Sequence, residues 1–456
     1  MARIKPEESY QDFMPRVFPE LFENKRYDSL ANKDKILARS VTWQVTDACN
    51  LACTYCYQHN KGTRRMSRET AFAFVDMLLD DEMCGDYINP RISPAIALEF
   101  IGGEPFLEVE LIDETIQYFM KRTMELRHPW LTRHMISICS NGVLYRDPDV
   151  QRFIQKYRTH LSLSITLDGT RELHDACRVF PDGRGSYDLA SDACLDLLGK
   201  GRTVGTKITI APGNIQHLHE ALRFMVEFGY SQIHANCVYE EGWTLEHATE
   251  LYNQMKSFSD YILENDLEDE VYCSLYEERF FKPKPHDDLE LWCGGNGMML
   301  SCDPDGYLYP CIRYMESSLG DKVPPIRIGH VSTGIGKTPE EVRHIHCMDC
   351  VTRRTMSTDE CFDCPIAEGC AWCAAYNYEV TGNIDSRATF ICPMHKATAL
   401  ANAYFWNMYH IKKRDGGNFT VHVPREWAVP IVGEEEYEWL LWLSHRAVET
   451  PNEEER

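Results

Sequence analysis

Val41-Thr-Trp-Gln-Val-Thr46 runs directly into Asp47-Ala-Cys49-Asn-Leu-Ala-Cys53-Thr-Tyr55-Cys56-Tyr57. A β-branched, apolar stretch thus delivers three cysteines, spaced C-x3-C-x2-C, onto the loop at its end. Three thiolates can hold a four-iron cubane at three corners and leave the fourth iron without a protein ligand. An iron of that kind can bind and activate a small molecule, whereas a fully ligated cluster mostly passes electrons. A structural zinc knuckle is the plain alternative, but it prefers paired C-x2-4-C elements and four ligands.

Outward from this loop, strand-like and helix-like segments alternate. Strand patterns fall at Val41–Thr46, Ala95–Ile101, His134–Cys139, His160–Leu167, Thr203–Ala211 and Gln232–Tyr239. Helical patterns fall between them at Ser67–Leu79, Leu111–Leu126, Asp147–Tyr157, Tyr187–Leu198 and Ile215–Phe228. That order predicts an α/β fold with a parallel sheet and right-handed crossovers. Six units are too few for a full barrel of eight and read as a partial (β/α)6 barrel, although the count alone does not exclude a doubly wound sheet. In either architecture the chemistry gathers at the C-terminal strand ends. The cysteines follow the first strand, Gly102-Gly103-Glu104-Pro105 the second and Ser140-Asn141-Gly142 the third, while Thr166-Leu167-Asp168-Gly169 ends the fourth. One rim therefore collects the polar and glycine-rich elements. Along the fourth strand Ser162, Ser164, Thr166 and Asp168 share one face, and Leu161, Leu163, Ile165 and Leu167 the other.

These motifs resemble the radical S-adenosylmethionine (SAM) enzymes over residues 41–240. The resemblance implies that Cys49, Cys53 and Cys56 ligate a catalytic [4Fe-4S] cluster, with Tyr55 beside it, and that SAM chelates the open iron. It implies that Gly102, Gly103, Glu104 and Pro105 form the element that receives the SAM ammonium group, next to Ser140 and Asn141. Ser164, Thr166 and Asp168 would line the SAM ribose, with Thr166 where the family usually has serine. Arg178 of His174-Asp175-x-x-Arg178 would pair with the SAM carboxylate. The implied chemistry is reductive cleavage of SAM to a 5'-deoxyadenosyl radical that abstracts hydrogen from an unactivated carbon.

A second cysteine field begins at Cys293. Cys293, Gly306 and Cys311, then Cys361-x2-Cys364-x5-Cys370-x2-Cys373 and Cys392, resemble a SPASM domain, which holds two auxiliary [4Fe-4S] clusters. Three clusters in all are implied. The family's last gap in this run is three residues, whereas here only Ala371-Trp372 intervene. The resemblance assigns Cys361, Cys364, Cys370 and Cys392 to the outer cluster, and Cys293, Cys311 and Cys373 to the inner one. Its fourth ligand stays open among Cys302, Cys347, Cys350 and a substrate thiolate. A zinc site of Cys347 and Cys350 with His344 and His346 is the alternative for that pair. Cys84, Cys139, Cys177, Cys194, Cys237 and Cys273 lie in helix or strand contexts and read as small buried hydrophobes.

The chain of 456 residues is long enough for several domains. Five segments are expected: an N-terminal extension over 1–40, the radical SAM partial barrel over 41–240, a helical bridge over 241–290, the SPASM domain over 291–395 and a helix with a strand/helix tail over 396–456. The tail is expected to hold a strand at Phe419–Val423, a loop through Pro424 and Pro430, and a helix at Glu435–Ala447. Forty residues ahead of the first strand are too few for the winged-helix module with which many peptide maturases grip a leader. No apolar run long enough for a membrane span or a secretory signal appears, so a cytoplasmic location is expected. Nineteen cysteines in a reducing compartment point to metal rather than disulfides. A formal charge of -23 makes nucleic acid a poor partner.

Enzymes with this pairing mostly modify ribosomally made peptides. Tyr309-Pro-Cys311-Ile-Arg-Tyr314 and Cys370-Ala-Trp-Cys373 resemble maturases of precursors with Cys-x-x-x repeats, the thioether-forming ranthipeptide and sactipeptide enzymes. The implied partners are a Cys-rich precursor peptide and a flavodoxin or ferredoxin-type electron donor. Carbon–carbon crosslinking is the near competitor. Anaerobic sulfatase maturation is disfavoured, because that family places an Asp base after the second SPASM cysteine and here Ile312 follows Cys311. An electron-transfer iron–sulfur protein would leave Gly102–Pro105, Thr166–Gly169 and Arg178 without a purpose.

Overall fold

The computed structural model describes residues 38–58, 61–201, 206–239, 242–289 and 292–449. The expected N-terminal extension and the first residues of the fifth strand pattern lie almost wholly outside the described residues.

The six expected strands are present as β1 (Ala38–Thr46), β2 (Ala95–Gly102), β3 (His134–Ser140), β4 (Leu161–Ile165), β5 (Thr206–Ile210) and β6 (Gln232–Cys237). Helices α1 (Arg68–Leu78), α2 (Val109–Glu125), α3 (Pro148–Lys156), α4 (Arg171–Cys177), α5 (Tyr187–Gly199) and α6 (Leu218–Phe228) connect them. The pairs β1–β2, β2–β3 and β5–β6 are parallel, so the fold is α/β with crossover helices. The strands occur in two sheets. One has the order β11-β10-β9-β8-β1-β2-β3-β4, and the other the order β5-β6-β7. The second sheet adds β7 (Tyr272–Cys273), and the first adds β8 (Met299–Cys302), β9 (Tyr307–Tyr309), β10 (Gly329–His330) and β11 (Gly334–Ile335).

Two compact units divide the chain. The first runs to Ser164 and adds Phe180–Gly183 and Gly294–Cys350. The second comprises Ile165–Val179, Arg184–Cys293 and the chain from Val351 onward.

In the first unit β1 is central, paired with β2 on one side and β8 on the other, which explains its β-branched and apolar run. Trp43 packs on Phe74 of α1 at 4.6 Å and stacks on Phe100 of β2 at 5.3 Å, so these side chains define the helix-covered face. Ser67 starts α1 by accepting from the amide of Thr70. The β1–β2 register shifts between Gln44 and Thr46, a bulge one step before the cysteine loop. Helix α8 (Pro339–Asp349) closes this unit's sequence, with Thr338 and Glu341 in a capping box.

The second unit is helical beyond β7. It holds α7 (Leu245–Glu264), α9 (Ala374–Thr381), α10 (Cys392–Lys413), α11 (Arg425–Val432) and α12 (Glu434–Val448). Alanines over Ala397–Ala403 bury α10 closely, and the fully buried Asn402 donates to the carbonyl of Leu275 and accepts from the amide of Glu277.

The tail departs from expectation. Phe419–Val423 is not a strand, and the stretch through Pro430 is helix α11. The amide of Phe419 donates to Oδ1 of Asn407 and its carbonyl accepts from Nδ2 of that residue, so one buried side-chain amide replaces the ladder a sheet would supply. Pro424 caps α11 and Pro430 sits close to its end, where a missing N–H costs less than in a long helix. Helix α4, for which no periodic pattern was legible, begins at the Thr170 cap.

Candidate active site

The cysteine loop leaves β1 at Thr46, and β2 pins it from beside. The amide of Gly103 donates to the carbonyl of Thr46, and that of Glu104 to the carbonyl of Ala48. A Cβ on Gly103 would lie 2.4 Å from the Ala48 oxygen and 2.7 Å from Cβ of Cys49. One on Gly102 would lie 2.9 Å from the Thr46 carbonyl oxygen. Both glycines are required by close backbone approach.

Glu104 is 1 % exposed. Its Oε1 accepts from the amide of Phe106 and from Oγ of Ser140 at 2.8 Å, and its Oε2 accepts from the amide of Asn141 at 2.9 Å. The carboxylate therefore caps the turn that starts at Pro105 and ties it to the end of β3. Asn141 in turn donates to Oδ1 of Asn50 at 2.7 Å and stands 4.0 Å from Sγ of Cys49. Asn50 is a site neighbour the sequence reading missed, since nothing local marks its partner ninety-one positions away.

Within the loop, Sγ of Cys49 accepts from the amide of Leu51 at 3.4 Å, and the amide of Cys56 donates to the carbonyl of Cys53. Burial pushes the Cys49 thiol up, opposed by the Leu51 amide and Lys61. Cys53, Tyr55 and Cys56 are half-buried. Tyr57 is held under the guanidinium of Arg313 at 4.9 Å. Burial raises its phenol, with the thiols of Cys56, Cys139 and Cys311 acting in the same direction.

Cys139 itself is exposed, contrary to the buried role expected for it. The pleat explains this: Ile136 and Ile138 are buried, while Met135, Ser137 and Cys139 point to the sheet's other face. Cys177 and Cys237 are likewise only half-buried, whereas Cys84, Cys194 and Cys273 are buried as expected.

Ser164 ends the first segment of the first unit, and the second unit carries the remaining SAM-site candidates. β4 ends at Ile165, earlier than expected, with Ser164 half-buried and Thr166 and Asp168 buried beyond it. Arg178 donates through Nε to Oδ2 of Asp168 at 2.7 Å, and both side chains are at most 12 % exposed. His174 holds this pair in place: its Nδ1 lies 3.4 Å from the Asp168 amide, and its Nε2 3.0 Å from Oγ of Ser186. Burial brings the His174 imidazole down to about 4.

Four cysteines of the second unit are electrostatic neighbours. Burial pushes the Cys392 thiol up to about 12, reinforced by Cys370 and Cys361, and it pushes Cys364 up with the same two neighbours. Cys370 behaves oppositely. Burial alone would raise it, but His395 and Arg387 outweigh burial and bring it down to about 7. Arg387 donates to its sulfur at 2.9 Å. Sγ of Cys373 accepts from the amide of Tyr376 at the start of α9. Burial raises the phenol of Tyr239, with Cys373, Cys237, Cys370 and Cys293 around it, so Cys293 and Cys373 share one environment.

In the first unit Cys311 is 8 % exposed, and Cys302 is fully buried opposite Trp43, its thiol donating to the Asp303 carbonyl. Cys347 and Cys350 are exposed at the end of α8. Cys350 lies 3.7 Å from Nε2 of His346, while His344 faces the Arg327 carbonyl instead. Among the described residues no three such side chains are already posed as a metal-ligand set; thiols must lose their protons and close on a metal together. The donor chemistry fits iron–sulfur clusters: three thiols on one clamped loop, and four more beside an Arg–His pair that favours thiolate.

A family profile described as "4Fe-4S single cluster domain" matches residues 38–164. Mycofactocin maturase MftC of Mycolicibacterium smegmatis is 25 % identical over 59 % of this chain and 63 % of its own length. The chain spans between 32 % and 63 % of the first curated relatives it matches. Among solved structures, native anSMEcpe with bound AdoMet and Kp18Cys peptide aligns with a TM-score of 0.56 at 18 % identity, over 80 % of this chain and 96 % of that one. Streptococcus suis SuiB bound to precursor peptide SuiA aligns with a TM-score of 0.53 at 12 % identity, over 78 % and 76 %. No helix of the described residues is long and apolar enough to cross a membrane. In fold over most of its length, and in its N-terminal iron–sulfur region, the chain resembles the radical SAM peptide maturases that carry a SPASM domain.

Proposed function

We propose that the chain is a radical SAM enzyme that installs thioether crosslinks in a Cys-rich precursor peptide, joining a cysteine sulfur to an acceptor carbon. The observation that carries this reading is the clamped loop, with Cys49, Cys53 and Cys56 presented at the end of β1 while Gly103 and Asn141 press on Cys49. In this reading those three thiols hold the catalytic cluster, and the Gly102–Pro105 turn presents backbone to the amino-acid end of SAM. When bound, SAM and its cluster supply one-electron cleavage and hydrogen abstraction. Thr166 and Asp168 line the nucleoside, and Asp168 orients Arg178 for a carboxylate. Cys361, Cys364, Cys370 and Cys392 hold an outer auxiliary cluster, with His395 and Arg387 favouring the thiolate of Cys370. Cys293 and Cys373, neighbours around Tyr239, serve a further cluster, for a total of three.

The solved structures with bound peptides support a peptide substrate. Ile312 after Cys311 argues against formylglycine formation. The buried Cys302, facing Trp43 in the sheet, is a poor candidate for a cluster ligand. The test is anaerobic reconstitution followed by iron counting and a SAM-cleavage assay under dithionite. About twelve irons per chain with 5'-deoxyadenosine formation support three clusters and a radical enzyme. A Cys-x-x-x precursor should then lose two hydrogens and a free thiol, whereas loss of hydrogens with all thiols still alkylatable would indicate carbon–carbon crosslinking. Stoichiometric zinc, or iron without SAM cleavage, would refute the proposal.

A further inference from the structure

The face of the first sheet opposite Trp43 and Phe100 carries a polar row that no step above uses. Parallel partners project to the same side, and the register aligns Ser301 of β8 with Thr42 of β1, Thr42 with Glu99 of β2, and Glu99 with Ser137 of β3. Oε1 of Glu99 accepts from Oγ of Ser40 and Oε2 accepts from Oγ1 of Thr42, each at 2.9 Å. Two hydroxyls thus fix the carboxylate from one strand. Glu99 and Ser137 are half-buried on a face that also exposes Met135, which is 50 % accessible. Hydroxyls that hold a carboxylate in one orientation leave its remaining lone pairs ready for a charge-assisted bond to a cation. Glu99 forms no ion pair with any described residue, although the unit holds other paired carboxylates such as Asp47 with Arg64. A second observation lies in the same row: Ser301 is fully buried, and its hydroxyl has no hydrogen-bond partner. The row thus holds a hydroxyl-braced carboxylate and, two strands away beyond Thr42, a buried hydroxyl without a partner.

We propose that Glu99, braced by Ser40 and Thr42, receives the cationic side chain of a lysine or arginine in the peptide substrate. This rests on the peptide-modifying reading above and adds a specificity determinant to it. Glu99 precedes Gly102 by three residues, about 10 Å along the strand. An extended peptide covers about 3.3 Å per residue, so the recognised cation belongs roughly three residues from the residue being modified. A divalent metal is a poorer occupant, because the flanking hydroxyls already donate to the carboxylate rather than offering it further oxygen ligands. The formal charge of -23 favours a cationic group in the same sense.

The test uses the anaerobically reconstituted full chain with SAM and two decapeptides that carry an uncharged fluorophore and no other charged side chain. The peptides are identical except that one has lysine and the other norleucine three residues from a central cysteine. Fluorescence anisotropy should show about tenfold tighter binding of the lysine peptide by the wild type. Glu99→Gln should abolish that preference while binding the norleucine peptide as the wild type does. Thr42→Val, which removes one brace, should reduce the preference in part and keeps the test decisive if Glu99→Gln does not fold. Equal binding of the two peptides by the wild type, no binding of either, or a preference that survives Glu99→Gln overturns the inference. Wild-type SAM cleavage without peptide tests the enzymatic reading separately, so the two failures are distinguishable.

Discussion

A methyl group added to Gly103 meets the Ala48 carbonyl at 2.4 Å, and backbone cannot yield as the end of a flexible side chain does. Gly103→Ala is therefore expected to displace the Cys49 loop and remove about four irons per chain, leaving the thiols of the second unit loaded. Iron analysis after reconstitution checks this; wild-type iron content would mean the loop tolerates the shift. Arg387 offers a second test. Its guanidinium and His395 overcome burial to hold the Cys370 thiol down to about 7, so Arg387→Met should raise that value. The pH profile of Cys370 alkylation in the metal-free protein should move upward, and an unmoved profile would leave His395 alone responsible. At this scale the candidate ligand cysteines were legible as groups because their spacing is local. Asn50, Arg387 and His395 were not, because each acquires meaning only from a partner that folding brings near.

The elements show the same division between local and distant causes. β1, β2 and β3 were legible to within three residues because their alternation is strong and glycine or polar residues end them. Phe419–Val423 reads as a strand from its β-branched residues, yet its backbone is satisfied by Asn407, a partner no period reveals. Asn407→Leu should strip both hydrogen bonds and cost about 2–4 kcal/mol, seen as a lower unfolding midpoint and faster hydrogen exchange over residues 417–423. Burial within elements also sets an acid limit. The imidazoles of His134 on β3 and His174 in α4 are brought down to about 4 by burial, whereas in the unfolded chain they titrate near 6.5. Unfolded chain thus gains protons first as pH falls, so this stability is intact above pH 6.5 and is lost between 6.5 and 4. Each histidine should account for about 2 kcal/mol at pH 5. His134→Gln should shrink the fall in melting temperature between pH 7 and pH 5, and an unchanged fall would assign the acid sensitivity elsewhere.

Across the whole molecule, 70 acidic residues face 47 basic ones, and this excess acts on any charged partner before contact. Composition makes nucleic acid a poor expected partner. It could not reveal where a cation would be received, because Glu99 looks like any other strand acid until the register places it beside Thr42, which braces it. The distributed field and the single site predict different salt responses. Screening lengths fall from about 30 Å at 0.01 M to about 3 Å at 1 M, so the field guides an approaching basic peptide only in dilute salt. The association rate of a lysine-containing peptide should therefore drop about tenfold or more between 0.01 M and 1 M salt, while that of its norleucine twin stays constant. A half-buried carboxylate is screened less than exposed charges, so the dissociation rate of the lysine peptide should change far less than its association rate. Stopped-flow fluorescence separates the two rates. If dissociation carried most of the salt effect, recognition would reside in exposed charges and the braced carboxylate would lose its role.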